Sequence, residues 1–249
     1  PLPHSPTPPL PHSPMSPTPE TVRAIFDRIA PVYDDFNQQL SLGLHWVWKR
    51  IAVAWSGAAA GQTCLDVCCG SGDLALLLGR QVGPTGQVFG VDFSTEQLAI
   101  ARQRAARQWP VPPITWQEGN ALALPFENNT FDAATMGYGL RNLTDIPQGL
   151  RELRRVLKPG ATVAVLDFHQ PQGTGMRQFQ QWYLASVVVP TADRCGLTAE
   201  YAYIAPSLDR FPLGDRQVAL AYEAGFAKVV HYPLAGGLMG VLVATTPAP

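Results

Sequence analysis

Several features are scarce in this chain of 249 residues, and each scarcity excludes a class of function. Charged residues make up 15%, against about 25% in an average domain. Lys and Arg number 18 and Asp and Glu 19, a net charge of −1. Proteins that track a nucleic-acid backbone need a phosphate-facing excess of cations, so no nucleic-acid partner is expected. The one basic cluster, Arg102, Arg104 and Arg107, reads as the solvated face of a helix. No run approaches the roughly 18 apolar residues of a membrane-spanning helix. A basic start with an apolar core, the mark of a secretory signal, is also missing. The expected location is therefore cytoplasmic. The four cysteines, Cys64, Cys68, Cys69 and Cys195, show no CxxC pairing. They read as reduced thiols, and with no histidine near them in sequence they offer no metal site. The low charge leaves part of the surface apolar, which suits a lipophilic partner met at a membrane surface.

Proline, by contrast, is plentiful at the start. PLPHSPTP (1–8) is followed by PLPHSPMS (9–16), a tandem repeat of eight. Such proline density favours extended chain over a packed core. Residues 1–19 are thus expected to be a disordered tail, with Met15 an alternative native start. From Glu20 the period becomes helical: Val22, Ile25, Phe26 and Ile29 recur at spacings of three and four. LGLHWVWKRIAVAW (42–55) is a second helical patch, so residues 20–57 are expected to form a helical lid on a single domain, 20–249.

Five short apolar runs follow: TCLDVCC (63–69), QVFGVDF (87–93), ITWQEGN (114–120), FDAATMGYG (131–139) and ATVAVLDFH (161–169). Helical stretches lie between several of them. One opens on the capping pair Ser94 and Gln97, and another stops at Pro159-Gly160. Alternating strands and helices predict an α/β fold, a mostly parallel sheet covered on both faces. Two closing apolar runs around Gly236-Gly237 predict an antiparallel hairpin at its edge.

Ligands of such sheets bind beyond the carboxyl ends of the strands, where strand order reverses. There stands LDVCCGSGD (65–73), with Gly70, Ser71 and Gly72 leading into a helix. Asp92 ends the next strand, where a ribose-binding acid belongs, and Asn120-Ala121 follows the third. Dinucleotide sites and S-adenosylmethionine sites share this much. A pyrophosphate would be repelled by the flanking Asp66 and Asp73, whereas a sulfonium and an ammonium would not. The acids favour S-adenosylmethionine as cofactor. A nicotinamide or flavin nucleotide, and a glycine turn with no ligand, are the alternatives. Cys64 and Cys68 read as small fillers of a buried strand, and Cys69 as a pocket lining.

Two further segments carry a specific likeness. YDDFNQQLSLGLHWVW (Tyr33–Trp48) and RVLKPGATVAVLDF (Arg155–Phe168) resemble the two signatures of the UbiE/MenG family of quinone C-methyltransferases. These are class I S-adenosylmethionine methyltransferases with a seven-stranded Rossmann-like sheet. LPFENNTFD and GLRNLTD also match, and the likeness runs from about Glu20 to about Ala244. Phe36, Ala161, Asp167 and His169 depart from the family's usual residues. CCGSGD, TMGYGLRN, VVVP and GGLMG look most like the plastid and cyanobacterial branch, which methylates 2-phytyl-1,4-naphthoquinol in the last step to phylloquinone. The resemblance puts Ser71, Asp92, Asn120, Ala121 and Gly137 on cofactor-contacting positions. It implies a prenylated naphthoquinol as substrate, with demethylmenaquinol as the alternative.

Methyl transfer to a ring carbon needs an electron-rich quinol, held in line and stabilised as a phenolate. Arg141, after the fourth strand, is the first choice for that stabilisation; a surface ion pair with Asp145 is its plainer reading. Asn142 could orient a water or the second ring oxygen, and Tyr33 from the lid could complete the network. His45, in a Trp-rich helix, and His169, beside Asp167, read first as structural histidines. Phe26, Ile29, Phe36, Leu40, Leu44, Trp46, Trp48 and the stretch Trp182–Pro190 are candidate walls for a prenyl channel. A homodimer is compatible with the apolar edge. A nucleotide-dependent oxidoreductase or a non-catalytic S-adenosylmethionine-binding assembly protein are the readings of a different class.

Overall fold

A computed structural model of the chain describes residues 19–29, 38, 40–41, 43–108, 114–194 and 196–249. Tyr33, Phe36 and Cys195 lie outside them, as does nearly all of the proline-rich segment with Met15, and the side chain of Phe26 is likewise not described.

Seven strands form one sheet: β1 (Thr63–Val67), β2 (Gln87–Asp92), β3 (Ile114–Glu118), β4 (Phe131–Gly137), β5 (Leu157–Phe168), β6 (Lys228–Leu234) and β7 (Met239–Thr245). Their order is β3-β2-β1-β4-β5-β7-β6. The first five are parallel, and β7 pairs antiparallel with both β5 and β6. The expected hairpin is present. Its second strand is the inner one, so the outermost strand, β6, again runs with the parallel set. Strand order reverses between β1 and β4, and the expected crevice opens there.

Helices α1 (Pro19–Ile29) and α2 (Leu44–Trp55) occupy the segment expected to be a lid. Helices α3 (Asp73–Val82), α4 (Thr95–Ala106) and α5 (Ile146–Val156) cross between the parallel strands. Two large cores result, one on each face. Leu65, Val67, Phe131, Met136, Leu150 and Leu153 belong to one; Ala52, Leu74, Leu78, Ala133 and Leu166 belong to the other. Burial on both faces is why β1 and β4 are mostly apolar rather than alternating, with the polar Asp66 and Thr135 buried against each other.

Helix α4 starts as its sequence requires, with the Ser94 hydroxyl accepting the Gln97 N–H at 3.1 Å. Helix α5 starts on Asp145, whose carboxylate accepts the Gln148 N–H at 2.9 Å. Its end differs from expectation. The helix stops at Val156 and β5 begins at once, with Leu157 opposite Phe131. Pro159-Gly160 therefore lies inside a bulge of β5, not at the helix stop. The pairing resumes only at Thr162 with Ala133, and Gly160 takes the φ of +77° that the detour requires.

After β5 come α6 (Thr174–Tyr183), a wider π turn (Leu184–Val188), α7 (Val189–Asp193), α8 (Thr198–Ala202), α9 (Ile204–Arg210) and α10 (Gly214–Glu223). The stretch from Ile29 through Val188, Ala192, Leu197 and Tyr201 makes a third, smaller cluster that ties α1 to this insertion.

Candidate active site

The chain leaves β1 through three left-handed residues within five: Cys68 at φ +55°, Gly70 at +52° and Gly72 at +91°. The side chain of Trp116 explains two nearby glycines. A Cβ on Gly72 would stand 2.6 Å from Cη2 of Trp116, and one on Gly90 2.6 Å from its Cε3. The bend therefore lies flat on an indole from β3, which brings it beside the tip of β2. There Asp92 Oδ2 accepts the Gly70 N–H at 2.8 Å, and Oδ1 accepts the Ser94 N–H at 2.9 Å. Burial pushes the Asp92 carboxyl up to about 6, and those two amides oppose the shift. A third amide, that of Phe93, also bonds the carboxylate, whose remaining acceptor capacity is open to a hydroxyl in the cleft.

Gly70, Asp92, Asn120, Ala121 and Gly137 line one cleft of about 100 Å³ at the tips of β1 to β4. Asn120 is held by its own turn, Oδ1 accepting the Leu122 N–H at 2.9 Å. Asp66, Ser71, Gly72 and Asp73 are not part of that lining. Asp66 lies fully buried beneath it, opposite Thr135 on β4, whose hydroxyl donates to Oδ1 at 2.8 Å. Burial raises its carboxyl to about 7. Cys68, rather than Cys69, lines the cleft, and burial drives both thiols well above the ordinary range, so neither is a thiolate.

The electrostatic picture of an acid-ringed bend needs correction. Asp73 is a buried carboxylate with two cationic partners, Lys49 of α2 and Arg104 of α4 at 2.5 Å. Although burial alone would raise its carboxyl, the two cations hold it below the usual value. Arg104 also donates to the Ser71 carbonyl and hydroxyl, both at 2.8 Å. It is thus half-buried and structural, not part of a solvated face. The back of the bend is an ion network, which leaves Asp92 as the carboxylate in the cleft among the described residues.

A second cavity of about 330 Å³ lies next to the first. Tyr138 and Asn142 line both, so the two spaces meet there. Ile29, Leu40, Leu44 and Trp48 from the lid and Leu184 and Val188 from the insertion are among its walls, as expected. Trp46 does not line it, and Trp182 stands outside, 56% exposed.

Arg141 and Asn142 stand on a short 3₁₀ turn (Leu140–Asn142) at the edge of this cavity. Arg141 is no surface residue and its partner is not Asp145. Its Nη1 meets Asp167 Oδ1 of β5 at 2.6 Å, with side chains 7% and 4% exposed. Phe168 packs 4.9 Å from the guanidinium carbon. Nε is buried and has no hydrogen-bond partner among the described residues, and the same is true of Asn142 Oδ1. Buried polar atoms in native proteins are rarely left unpaired, so two such atoms at one cavity wall point to a polar group they would meet.

Sequence reasoning missed Tyr138. It takes φ +59°, rare for a bulky residue, and its N–H reaches Leu166 O at 2.7 Å. Its carbonyl accepts from Arg141 Nη1 at 3.1 Å and Asn142 Nδ2 at 2.8 Å, so the strained residue orients both candidates. The only sequence signal was an aromatic between two glycines after a strand. His169 is buried at the other side of β5, its ring 4.7 Å from that of His231, away from the cavity lining.

A seven-stranded sheet of this order, with a glycine bend and an acid at the tips of adjacent strands, defines a class I S-adenosylmethionine-dependent methyltransferase. Solved structures agree on the fold. The [4+2]-cyclase SpnF aligns at TM-score 0.69 with 19% identity, over 95% of this chain and 98% of that one. An S-adenosylmethionine-dependent methyltransferase from Aquifex aeolicus aligns at 0.58 with 20% identity, over 79% and 88%. The sequence pattern of the ubiE/COQ5 methyltransferase family matches residues 15–246, and the chain belongs to that family. It is 64% identical over 222 residues to the 2-phytyl-1,4-naphtoquinone methyltransferase of Trichormus variabilis, covering 89% of this chain and 97% of that protein. It is 50% identical over 224 residues to the chloroplastic 2-phytyl-1,4-beta-naphthoquinone methyltransferase of Arabidopsis thaliana, covering 89% and 86%. The chain is a methyltransferase, and S-adenosylmethionine is its methyl donor.

Proposed function

We propose that this protein methylates the ring of 2-phytyl-1,4-naphthoquinol, the reduced form of the quinone its relatives act on. One observation carries the reading. A large apolar cavity meets the cofactor cleft at Tyr138 and Asn142, and the polar groups at that junction, Arg141 and Asn142, have unmet hydrogen-bonding capacity. Relatives at 50 to 64% identity with the same substrate in their names support it.

The cofactor supplies a methyl group on a positively charged sulfur. The protein's part is to hold both reactants and stabilise charge. Asp92 accepts the ribose hydroxyls, and the cleft between Gly70, Asn120 and Gly137 takes the nucleoside. Asp92 is suited to this because its two amide partners keep the carboxylate fixed. Arg141 faces the oxygen of the ring on which negative charge grows. Its orientation is set by Asp167 and the Tyr138 carbonyl before any substrate arrives, so no reorganisation is needed. Asn142 Oδ1 accepts from a ring hydroxyl or from a water relaying its proton. Tyr33, outside the described residues, is proposed to reach the same junction from the lid.

A membrane-surface encounter is part of the reading. Leu44 and Val47 of α2 and Met176, Phe179 and Trp182 of α6 are large, apolar and exposed. Leu44 and Phe179 also line the cavity, so the apolar lip continues into it. Among the described residues no helix is long and apolar enough to cross a membrane. Contact would therefore be peripheral. The test is transfer of labelled methyl from S-adenosylmethionine to a panel of reduced and oxidised naphthoquinones with phytyl, multiprenyl and no tail. Turnover of the reduced phytyl compound is expected, and methylation confined to multiprenyl tails would move the assignment to menaquinone synthesis. Liposomes should co-sediment the wild type and lose the Phe179→Ser, Trp182→Ser variant; equal sedimentation would remove the lip.

A further inference from the structure

We propose that His45 is a second polar anchor of the substrate ring, its Nε2 meeting the oxygen beside the prenyl tail while Arg141 and Asn142 take the oxygen across the ring. The inference rests on the substrate reading above and adds a residue from the lid to it.

A 1,4-quinol has oxygens at opposite ends of one ring. Arg141 and Asn142 are adjacent on one turn and serve one end. In a mainly apolar cavity the other hydroxyl also requires a partner, since a buried hydroxyl without one is costly. Two polar side chains of the cavity wall are already engaged: Gln180 Nε2 donates to His169 O at 2.8 Å, and the Tyr183 hydroxyl donates to Leu40 O at 2.5 Å. His45 is different. It is 4% exposed and lines the cavity from the first turn of α2. Its Nδ1 is 2.7 Å from Ser41 Oγ, and Nε2 has no partner among the described residues. The ring is therefore oriented by Ser41 and has one nitrogen left over.

The surroundings keep it neutral. Burial and then Lys49, one turn further along α2, lower its pKa to about 4, against a weaker opposite pull from Asp73; Arg104 adds to the lowering. Arg141, lining the same cavity, is a further cation nearby. A neutral imidazole enters an apolar site without the cost of a buried charge. Lys49 in turn ties α2 to Asp73 at the glycine bend, so the anchor is held to the cofactor side of the fold.

The test compares His45→Asn, whose amide replaces Nδ1 and keeps Ser41, with His45→Gln, whose amide reaches the place of Nε2. Each is assayed on the prenylated naphthoquinol and on its monomethyl ether at the tail-side oxygen. Wild type should lose about 10- to 100-fold in kcat/KM on passing to the ether, in KM more than kcat. H45N should lose a similar factor on the quinol and show little further loss on the ether, with S-adenosylmethionine Kd and Tm unchanged. H45Q should recover most of the quinol activity and some of the discrimination. H45N that discriminates between the two compounds as wild type does would overturn the inference alone. Equal damage in H45N and H45Q, with lowered Tm, would make His45 structural and overturn it too. A wild type that methylates neither compound would remove the substrate reading and this inference with it.

Discussion

Arg141→Met is the substitution whose consequences the structure specifies most fully. It removes a guanidinium bonded at 2.6 Å to Asp167, in a pair with side chains 7% and 4% exposed. Breaking a buried pair from one side costs about 3–5 kcal/mol, because the remaining charge is stranded. Here Asp167 keeps two main-chain donors that survive the change, the N–H of residue 141 at 3.1 Å and of Phe168 at 2.8 Å. The loss is therefore set near the lower end, about 3 kcal/mol. At about 2–4 °C per kcal/mol for a domain of this size, Tm should fall by roughly 6–12 °C. The second substitution Asp167→Asn removes the stranded charge and should restore most of that loss. Turnover should not follow. Loss of a preorganised charge stabiliser typically costs about 100- to 1000-fold in kcat, and it should persist in the double variant while S-adenosylmethionine binding stays within a few-fold of wild type. Thermal melts, calorimetric titration and labelled-methyl transfer on the same preparations decide the matter. If activity returns together with stability in R141M/D167N, Arg141 is a structural residue and the proposed charge stabilisation is wrong.

Two further perturbations test other parts of the account. Asp92→Ala removes the acceptor expected for the ribose, at about 1.5–3 kcal/mol per charge-assisted bond, so cofactor Kd should rise by one to two decades; in wild type, affinity should tighten as pH rises through about 6, where Asp92 ionises. Calorimetry showing neither effect would move the cofactor elsewhere. The His169–His231 pair, the first buried and the second half-buried, should limit acid stability. Burial lowers both, His231 to about 4, so the unfolded chain binds protons that the folded one refuses. Their contribution is complete above about 6.5 and is lost as pH falls towards 4. Asp66 and Asp92, raised to about 7 and about 6, work in the opposite sense over part of that range, so the readout is the difference between proteins. His231→Asn should flatten the decline of Tm between pH 6.5 and 4; an unchanged slope would clear the pair of this role.

How much was legible depended on how local each cause was. The strand tips were readable, because a run of apolar residues followed by glycine or acid marks its own end: Gly70, Asp92, Asn120 and Gly137 all lie on the cleft. The partners of Asp73 were not. They stand 24 and 31 residues away, on α2 and α4, and nothing in the local pattern distinguishes Arg104 from a solvated arginine. The plainer reading of Arg141 paired it with Asp145, which is near in sequence, whereas its actual partner Asp167 is near only across β4 and β5. The bulge at Pro159-Gly160 was read as a helix stop because proline and glycine punctuate both.

Periodicity, glycine spacing and the two family signatures were enough to indicate a mostly parallel sheet, the methyl donor and the kind of reaction performed. Those properties are written in short local runs of sequence, where backbone sterics and hydrophobic burial act locally. The junction of two cavities at Tyr138 and Asn142, the buried Arg141–Asp167 pair and the ion network behind the glycine bend were settled only by folding. Each depends on side chains from separate elements meeting in a medium too apolar to leave charges and dipoles unpaired, and which ones meet is decided by the packing of the sheet and its lid.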